Sequence, residues 1–155
     1  MLQEIKNLND GEKRLVMLAP AMVTILIAGA DDDIDDQERE TAKRITKYKK
    51  LTGNTLMLDY YDKVEDSFEA DLTMLLKEYP KKAGLRNREI EEELTGLNQI
   101  LPKIDREHAI AYYDSLKSIA KNVAEASGGF LGFLSVGPEE KKWLNLEMIN
   151  DPRTY

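Results

Sequence analysis

The chain has 155 residues, of which 29 are acidic and 22 are basic, giving a net charge of −7. This length suits one domain with a sizeable core over residues 1–155, and the acidic balance disfavours nucleic acid or an anionic membrane as a default partner. The absence of cysteine excludes disulfides, thiolate metal sites and cysteine nucleophiles, and it fits a reducing compartment such as the cytoplasm.

The first predicted helix starts near Asp10, which can cap it, and ends near Ala30. Its apolar part falls short of the roughly 20 residues that cross a bilayer, so we expect a buried core helix rather than a transmembrane segment. Pro20 should kink or divide this helix, because it removes one hydrogen bond and crowds the preceding turn. The N-terminal residues lack a basic region followed by an apolar one, so no signal peptide is expected.

A second helix is predicted to start at Asp35, where Asp35 and Glu38 have the spacing of a capping box, and to run to about Lys50. Asn54 can cap a third helix, and a fourth helix is predicted to stop at Pro80. The third and fourth patterns are also compatible with one bent helix.

The fifth and sixth helices are predicted over 85–101 and 106–126, with Asp105 as the cap of the sixth. A glycine-rich apolar loop is expected over 127–137, and Pro138 fits the first turn of a last helix carrying Trp143, Leu144 and Met148. Because no run of alternating strand residues appears, we predict an all-α, single-domain bundle of about six to seven helices. The predicted buried stripes of these two helices are Ile90, Leu94, Leu97 and Leu101, and Tyr112, Leu116, Ile119, Val123 and Ala126.

The densest charge in the chain is the run of aspartates within residues 31–36. Carboxylates this close repel one another unless they are solvated, cap a helix or hold a cation. The run opens with the ligand spacing of an EF-hand loop, but Asp36 stands where that loop needs glycine and Ala42 where it needs glutamate. We therefore reject an EF-hand.

A smaller site for a hard divalent cation, calcium or magnesium, would use Asp31, Asp35 and Glu38, since carboxylate oxygens are the ligands these ions prefer. The alternative is that Asp35 and Glu38 cap the second helix while the other aspartates are solvated.

His108 is the only histidine, and no nucleophile of clear identity accompanies it. Ser127 and Ser135 flank the glycine-rich segment, but nothing in the sequence indicates a triad with His108. A packing or surface role is the simpler interpretation of this histidine. A metal-dependent enzyme using His108 together with the three acidic residues is kept as an alternative hypothesis.

Two stretches resemble the TerB-like family of tellurite-resistance proteins: LAP at 18–20 followed by LIAGADDDIDDQE at 26–38, and AEASGGFLGF at 124–133 followed by PEEK at 138–141. The resemblance implies an all-helical bundle in a bacterial cytoplasmic or membrane-peripheral setting, linked to tellurite resistance and stress response. It implies no enzyme activity, a protein partner, and cation binding at Asp31, Asp35 and Glu38. The chain departs from the family pattern at Asp32, where relatives have glycine, and in lacking a second acidic turn before its last helix.

Overall fold

The computed structural model describes residues 1–28, 40, 54–132 and 138–155, and for 126–132 and 138–140 it describes the backbone. Every regular element in this part of the chain is helical, which confirms the all-α class. The second predicted helix lies outside the described residues apart from Glu40, which is helical, so the number of helices stays a prediction. The helices are α1 (Asp10–Ala28), α2 (Leu58–Glu78), α3 (Ala83–Thr95), α4 (Leu97–Ile100), α5 (Arg106–Gly132) and α6 (Pro138–Leu144).

Helix α1 is the centre of the bundle and packs against α2, α3 and α5. Its residues from Val16 to Ala28 are buried apart from the partly exposed Met17 and Ile27. A helix that is apolar around its whole circumference is stable only when neighbours surround it, which is what the apolar sequence predicted. Among the described helices, none combines the length and hydrophobicity required to span a membrane.

The start of α1 is capped by Asn9 rather than by Asp10, so the sequence prediction was one residue late. The Asn9 side-chain oxygen accepts a hydrogen bond from the Glu12 backbone N–H at 2.9 Å. In return, the Glu12 carboxylate accepts one from the Asn9 backbone N–H at 3.0 Å. This reciprocal pair is a capping box, and it satisfies two N–H groups that the helix itself cannot pair.

The middle of α1 runs through Pro20 without dividing. Of the two outcomes expected at this proline, a kink or a division of the helix, the division was wrong. Proline has no N–H, and the carbonyl of Val16, four residues earlier, therefore lacks its usual intrahelical donor. Two tyrosine hydroxyls supply hydrogen bonds instead: Tyr60 of α2 donates to the Val16 oxygen at 2.8 Å and Tyr112 of α5 at 2.9 Å. On the next turn, the Thr24 hydroxyl donates to the Pro20 carbonyl at 2.8 Å.

The predicted third and fourth helices are a single helix, α2, as the bent-helix alternative allowed. Asn54 caps the 3₁₀ turn that precedes it, since its side chain accepts from the Leu56 N–H at 3.0 Å. At the other end, Tyr79 adopts an extended conformation ahead of Pro80, which cannot continue a helix. The predicted fifth helix is shorter than expected and is followed, after Gly96, by α4 and a 3₁₀ turn at Leu101–Lys103.

The glycine-rich segment that was expected to be a loop is helical in its first part. Helix α5 continues to Gly132, so the part of the glycine-rich segment from 127 to 132 is helical and not a loop, while 133–137 lie outside the described residues. Helix propensity is a weak prior: one glycine costs about 1 kcal/mol relative to alanine, which the rest of a long helix can offset.

The predicted buried stripes are confirmed wherever side chains are described. The confirmed positions are Ile90, Leu94, Leu97 and Leu101, and Tyr112, Leu116, Ile119 and Val123, each at most 3 % exposed.

Helix α6 ends in a Schellman motif, in which the Glu147 N–H donates to the Lys142 carbonyl at 3.0 Å and the Leu146 N–H to the Trp143 carbonyl at 2.9 Å. Leu146 occupies the left-handed position with φ of 51°, although glycine is the usual residue there. Met148 therefore follows the last helix instead of belonging to it. Its carbonyl accepts a hydrogen bond from the Asn98 side chain at 2.9 Å, and the Asn150 N–H donates to the same side chain at 2.7 Å.

Candidate functional site

The three residues predicted to bind a cation, Asp31, Asp35 and Glu38, lie outside the described residues. The first described stretch, 1–28, ends at Ala28, which is the last residue of α1 and is 6 % exposed. The acidic segment therefore follows, after Gly29 and Ala30, a helix end that belongs to the core. Over residues 1–28, 40, 54–132 and 138–155, no group of three or more histidine, cysteine, aspartate or glutamate side chains could hold a metal ion.

His108 lies in the first turn of α5 and pairs with the residue that caps this helix. Asp105 accepts hydrogen bonds from the backbone N–H groups of Glu107 at 3.0 Å and His108 at 3.2 Å, as the sequence predicted for a cap. The same carboxylate oxygen lies 3.0 Å from the His108 ring nitrogen Nδ1. This ring contact, followed by the backbone hydrogen bonds, lowers the pKa of Asp105. The histidine thus strengthens a helix cap.

The start of α5 lies beside the start of α1. The Asp105 N–H donates to the Glu4 carboxylate at 3.1 Å, and Lys103 forms an ion pair with Glu12 of the α1 capping box. The acidic segment follows the opposite, C-terminal end of α1 in the sequence. Within the described residues, the side-chain contact that positions His108 is the one with Asp105.

A surface groove of about 740 Å³ runs along the outer face of α2. Carboxylates outnumber ammonium groups on its walls, and Arg14 of α1 stands at its edge, 3.7 Å from Glu78 and 3.9 Å from the sulfur of Met74. A basic ligand suits this charge better than an acidic one. The charged lining residues are Asp66, Glu69, Lys77 and Glu78, and the others are Ala70, Thr73 and Met74.

Two buried polar residues of α3 were not predicted from the sequence: Arg86 and Asn87, which are 2 % and 3 % exposed. Arginine is almost never fully buried without a partner, and one guanidinium nitrogen of Arg86 donates to the Lys81 carbonyl at 3.3 Å. Helical periodicity gives no signal for such a residue, because a charged side chain beside an apolar stripe is normally assigned to the solvent face.

Comparison with protein-family models, with curated proteins and with solved structures returns no match. The resemblance to the TerB-like family therefore stays a prediction from the two sequence stretches described above.

Proposed function

We propose that this chain is a non-enzymatic helical module of the TerB-like kind, acting in a bacterial tellurite-resistance or stress-response system in the cytoplasm. In this proposal the carboxylates of Asp31, Asp35 and Glu38 bind a divalent cation, and the module acts by binding a protein partner. Two aspartates and one glutamate supply only oxygen ligands, which suits calcium and magnesium better than softer metals.

The observation that carries the proposal is the position of the acidic residues relative to α1. A buried, apolar helix ends at Ala28, and the aspartate run begins three residues later. Mutual repulsion among these carboxylates disfavours such a run unless something compensates the charge, and a bound cation does so directly. The helix-cap alternative compensates part of the charge through the helix dipole and needs no metal.

A metal-dependent enzyme combining His108 with the acidic residues is the weaker candidate. The Asp105 contact orients His108 at the start of α5, and this start lies beside the N-terminal end of α1. The acidic segment follows the other end of α1. A general acid or base must come within hydrogen-bond reach of the proton it transfers, and the described geometry gives His108 a different partner.

The cation hypothesis is tested by titrating calcium and magnesium into the chain by calorimetry while following thermal unfolding in parallel. Binding to the native state alone adds about 2.7 kcal/mol of stability when the ion is in hundredfold excess over its dissociation constant. For a chain of this size, each kcal/mol raises the melting temperature by about 2–4 °C, so the total rise is roughly 5–10 °C.

Two single substitutions locate the site. Asp31→Asn should abolish both the heat and the shift in melting temperature, since it removes one charged ligand. Asp33→Asn is the matched control: it removes the same charge from the same segment but lies outside the proposed ligand set, so binding should persist. The absence of heat and of a melting shift at millimolar ion would refute cation binding, and equal losses in both variants would reduce it to nonspecific charge attraction.

A further inference from the structure

We infer that Pro20, the Val16 carbonyl and the hydroxyls of Tyr60 and Tyr112 form a conformational lock that fixes how three helices of the bundle sit against one another. The proline removes the local donor to the Val16 carbonyl, and the two tyrosines replace it with donors from α2 and α5. This inference concerns the architecture of the bundle and is independent of the proposed cation site.

The acceptor is the backbone carbonyl of Val16 in the middle of α1. Val16 and Pro20 are four residues apart, so an ordinary residue at position 20 would donate its N–H to the Val16 oxygen. With proline there, that oxygen would be a buried acceptor without a donor, because Val16 is 0 % exposed. Such groups are rare in native proteins, since an unpaired buried carbonyl costs free energy comparable to a lost hydrogen bond.

The replacement donors come from distant parts of the sequence. The hydroxyl of Tyr60 reaches the Val16 oxygen across 44 residues of chain and that of Tyr112 across 96. A carbonyl oxygen has two lone pairs, so it can accept both hydrogen bonds at once. One atom of α1 is thereby tied to α2 and to α5 by directional contacts, which apolar packing does not provide.

The rings that carry these hydroxyls pack against each other. Both tyrosines are 0 % exposed, and their rings meet edge to face with centroids 5.6 Å apart. This packing fixes both rings, so the hydroxyls are held in place before they donate. Burial raises the pKa of each phenol well above its ordinary value, so both hydroxyls are protonated donors at neutral pH.

The hydrophobic effect is non-directional, so it penalises a slide or rotation of α1 between its neighbours less specifically than a hydrogen bond does. The lock penalises such movement, because any shift that separates either hydroxyl from the Val16 oxygen leaves buried polar atoms unpaired. The proline is thus part of the lock: because it has no N–H to donate to the Val16 carbonyl, α1 depends at this point on donors from other helices.

The test is a mutant cycle read by urea unfolding of the full chain. Tyr60→Phe and Tyr112→Phe each leave one donor in place, and each should raise the unfolding equilibrium constant by about two- to tenfold. The double variant leaves the carbonyl unpaired. It should therefore raise the constant by more than the product of the two single effects, within roughly 5- to 150-fold for the loss of the last donor.

Pro20→Ala provides the decisive background, because the alanine introduced at position 20 has a backbone N–H that can donate to the Val16 oxygen. In this background, the effect of the double tyrosine substitution should fall at least fivefold, and slow hydrogen exchange at the new amide should report the restored bond. If the double variant in the natural background does not fold, the two single substitutions are compared in both backgrounds instead.

Tyr61→Phe is the matched control, since Tyr61 is also buried on α2 and stacks edge to face on Tyr60 at 5.0 Å. Its hydroxyl lies near that of Ser115 and makes no hydrogen bond to the Val16 oxygen. Removing the Tyr61 hydroxyl should therefore change the constant by the same factor in the natural and the Pro20→Ala backgrounds. Strict additivity of the Tyr60 and Tyr112 effects, or equal effects in the natural and the Pro20→Ala backgrounds, would overturn the inference.

Discussion

The start and the middle of α1 each contain backbone groups that the helix leaves unpaired, N–H groups at the start and a carbonyl in the middle, and satisfy them by opposite means. At the start, Asn9 and Glu12 are three residues apart and pair with each other's backbone N–H groups. In the middle, the Val16 carbonyl receives its hydrogen bonds from Tyr60 and Tyr112, which belong to distant parts of the chain. The first solution forms as soon as the helix forms, whereas the second exists only after three helices have packed.

This difference predicts different sensitivities. Loss of the local cap removes one contact at an exposed helix end, where water can replace the missing partner. Loss of a donor in the buried middle removes a contact that water cannot replace, and it also disturbs the packing of large rings.

Truncation of the buried tyrosine should have the largest effect. Tyr112→Ala removes a ring that is 0 % exposed and a donor to Val16, and we expect a loss of about 3–5 kcal/mol in the free energy of unfolding. Leu85→Ala is the control, because Leu85 is 54 % exposed and its truncation should change stability by less than about 0.5 kcal/mol. Urea unfolding of both variants measures the difference, and similar losses would mean that the buried region is not special.

Removal of the local cap should have an intermediate effect. Asn9→Ala deletes the side-chain acceptor of the Glu12 N–H, and we expect destabilisation by about 1 kcal/mol. Asn9→Ser keeps an oxygen in capping position and should recover most of that loss. Thermal unfolding of the three chains is the measurement, and an alanine variant as stable as the serine variant would show that the capping box contributes nothing.

The smallest expected effect is a pH dependence at the second local cap. The His108 ring contact and the backbone hydrogen bonds lower the pKa of Asp105 below its ordinary 3.8 in the folded chain. A carboxyl whose pKa is lowered by folding contributes stability above its unfolded pKa, and this contribution disappears as the pH falls through the folded value. Stability should therefore decline below about pH 4.

Asp105→Asn separates this contribution from the rest of the acid-induced loss, because asparagine caps a helix but does not titrate. The urea midpoint of the variant should fall less between pH 5 and pH 3 than that of the natural chain. Parallel decline of the two midpoints would assign the pH dependence to other carboxyls.

Much of the fold was accessible from periodicity and capping rules. The stripes that include Ile90, Leu94 and Leu116 were predicted because helical spacing places them on one face, and Asp105 was recognised because the cap precedes its helix directly. Asn9 was also readable, since Asn-x-x-Glu is a capping-box pattern, but the neighbouring Asp10 was chosen. These signals are short-range, so the sequence contains them in full.

The errors have a common physical origin. Pro20 was expected to kink or divide α1, and the segment 127–137, of which 127–132 is helical, was expected to be a loop, because local propensities disfavour a helix at both places. In a helix interior a glycine costs about 1 kcal/mol and a proline about 3 kcal/mol relative to alanine, and tertiary contacts of comparable size can offset these costs. At Pro20 those contacts are the two tyrosine hydroxyls, whose positions depend on the packing of α2 and α5.

The candidate cation site, unlike the fold, rests on the sequence alone. The choice of Asp31, Asp35 and Glu38 came from residue types, spacing and the resemblance to the TerB-like family, and it stays a prediction because these residues lie outside the described part of the chain. For His108, the simpler interpretation as a packing residue agrees with its contact to Asp105.

By itself, the sequence determined that this chain is helical, where most helices begin and which faces are buried, because caps and apolar periodicity act between residues at most a few turns apart. Only the tertiary structure decided that α1 stays whole across Pro20 and that Arg86 and Asn87 are buried. Those outcomes depend on which groups of other helices lie close enough to pair with a buried polar atom. Such partners are distant in the sequence, so no local pattern predicts them.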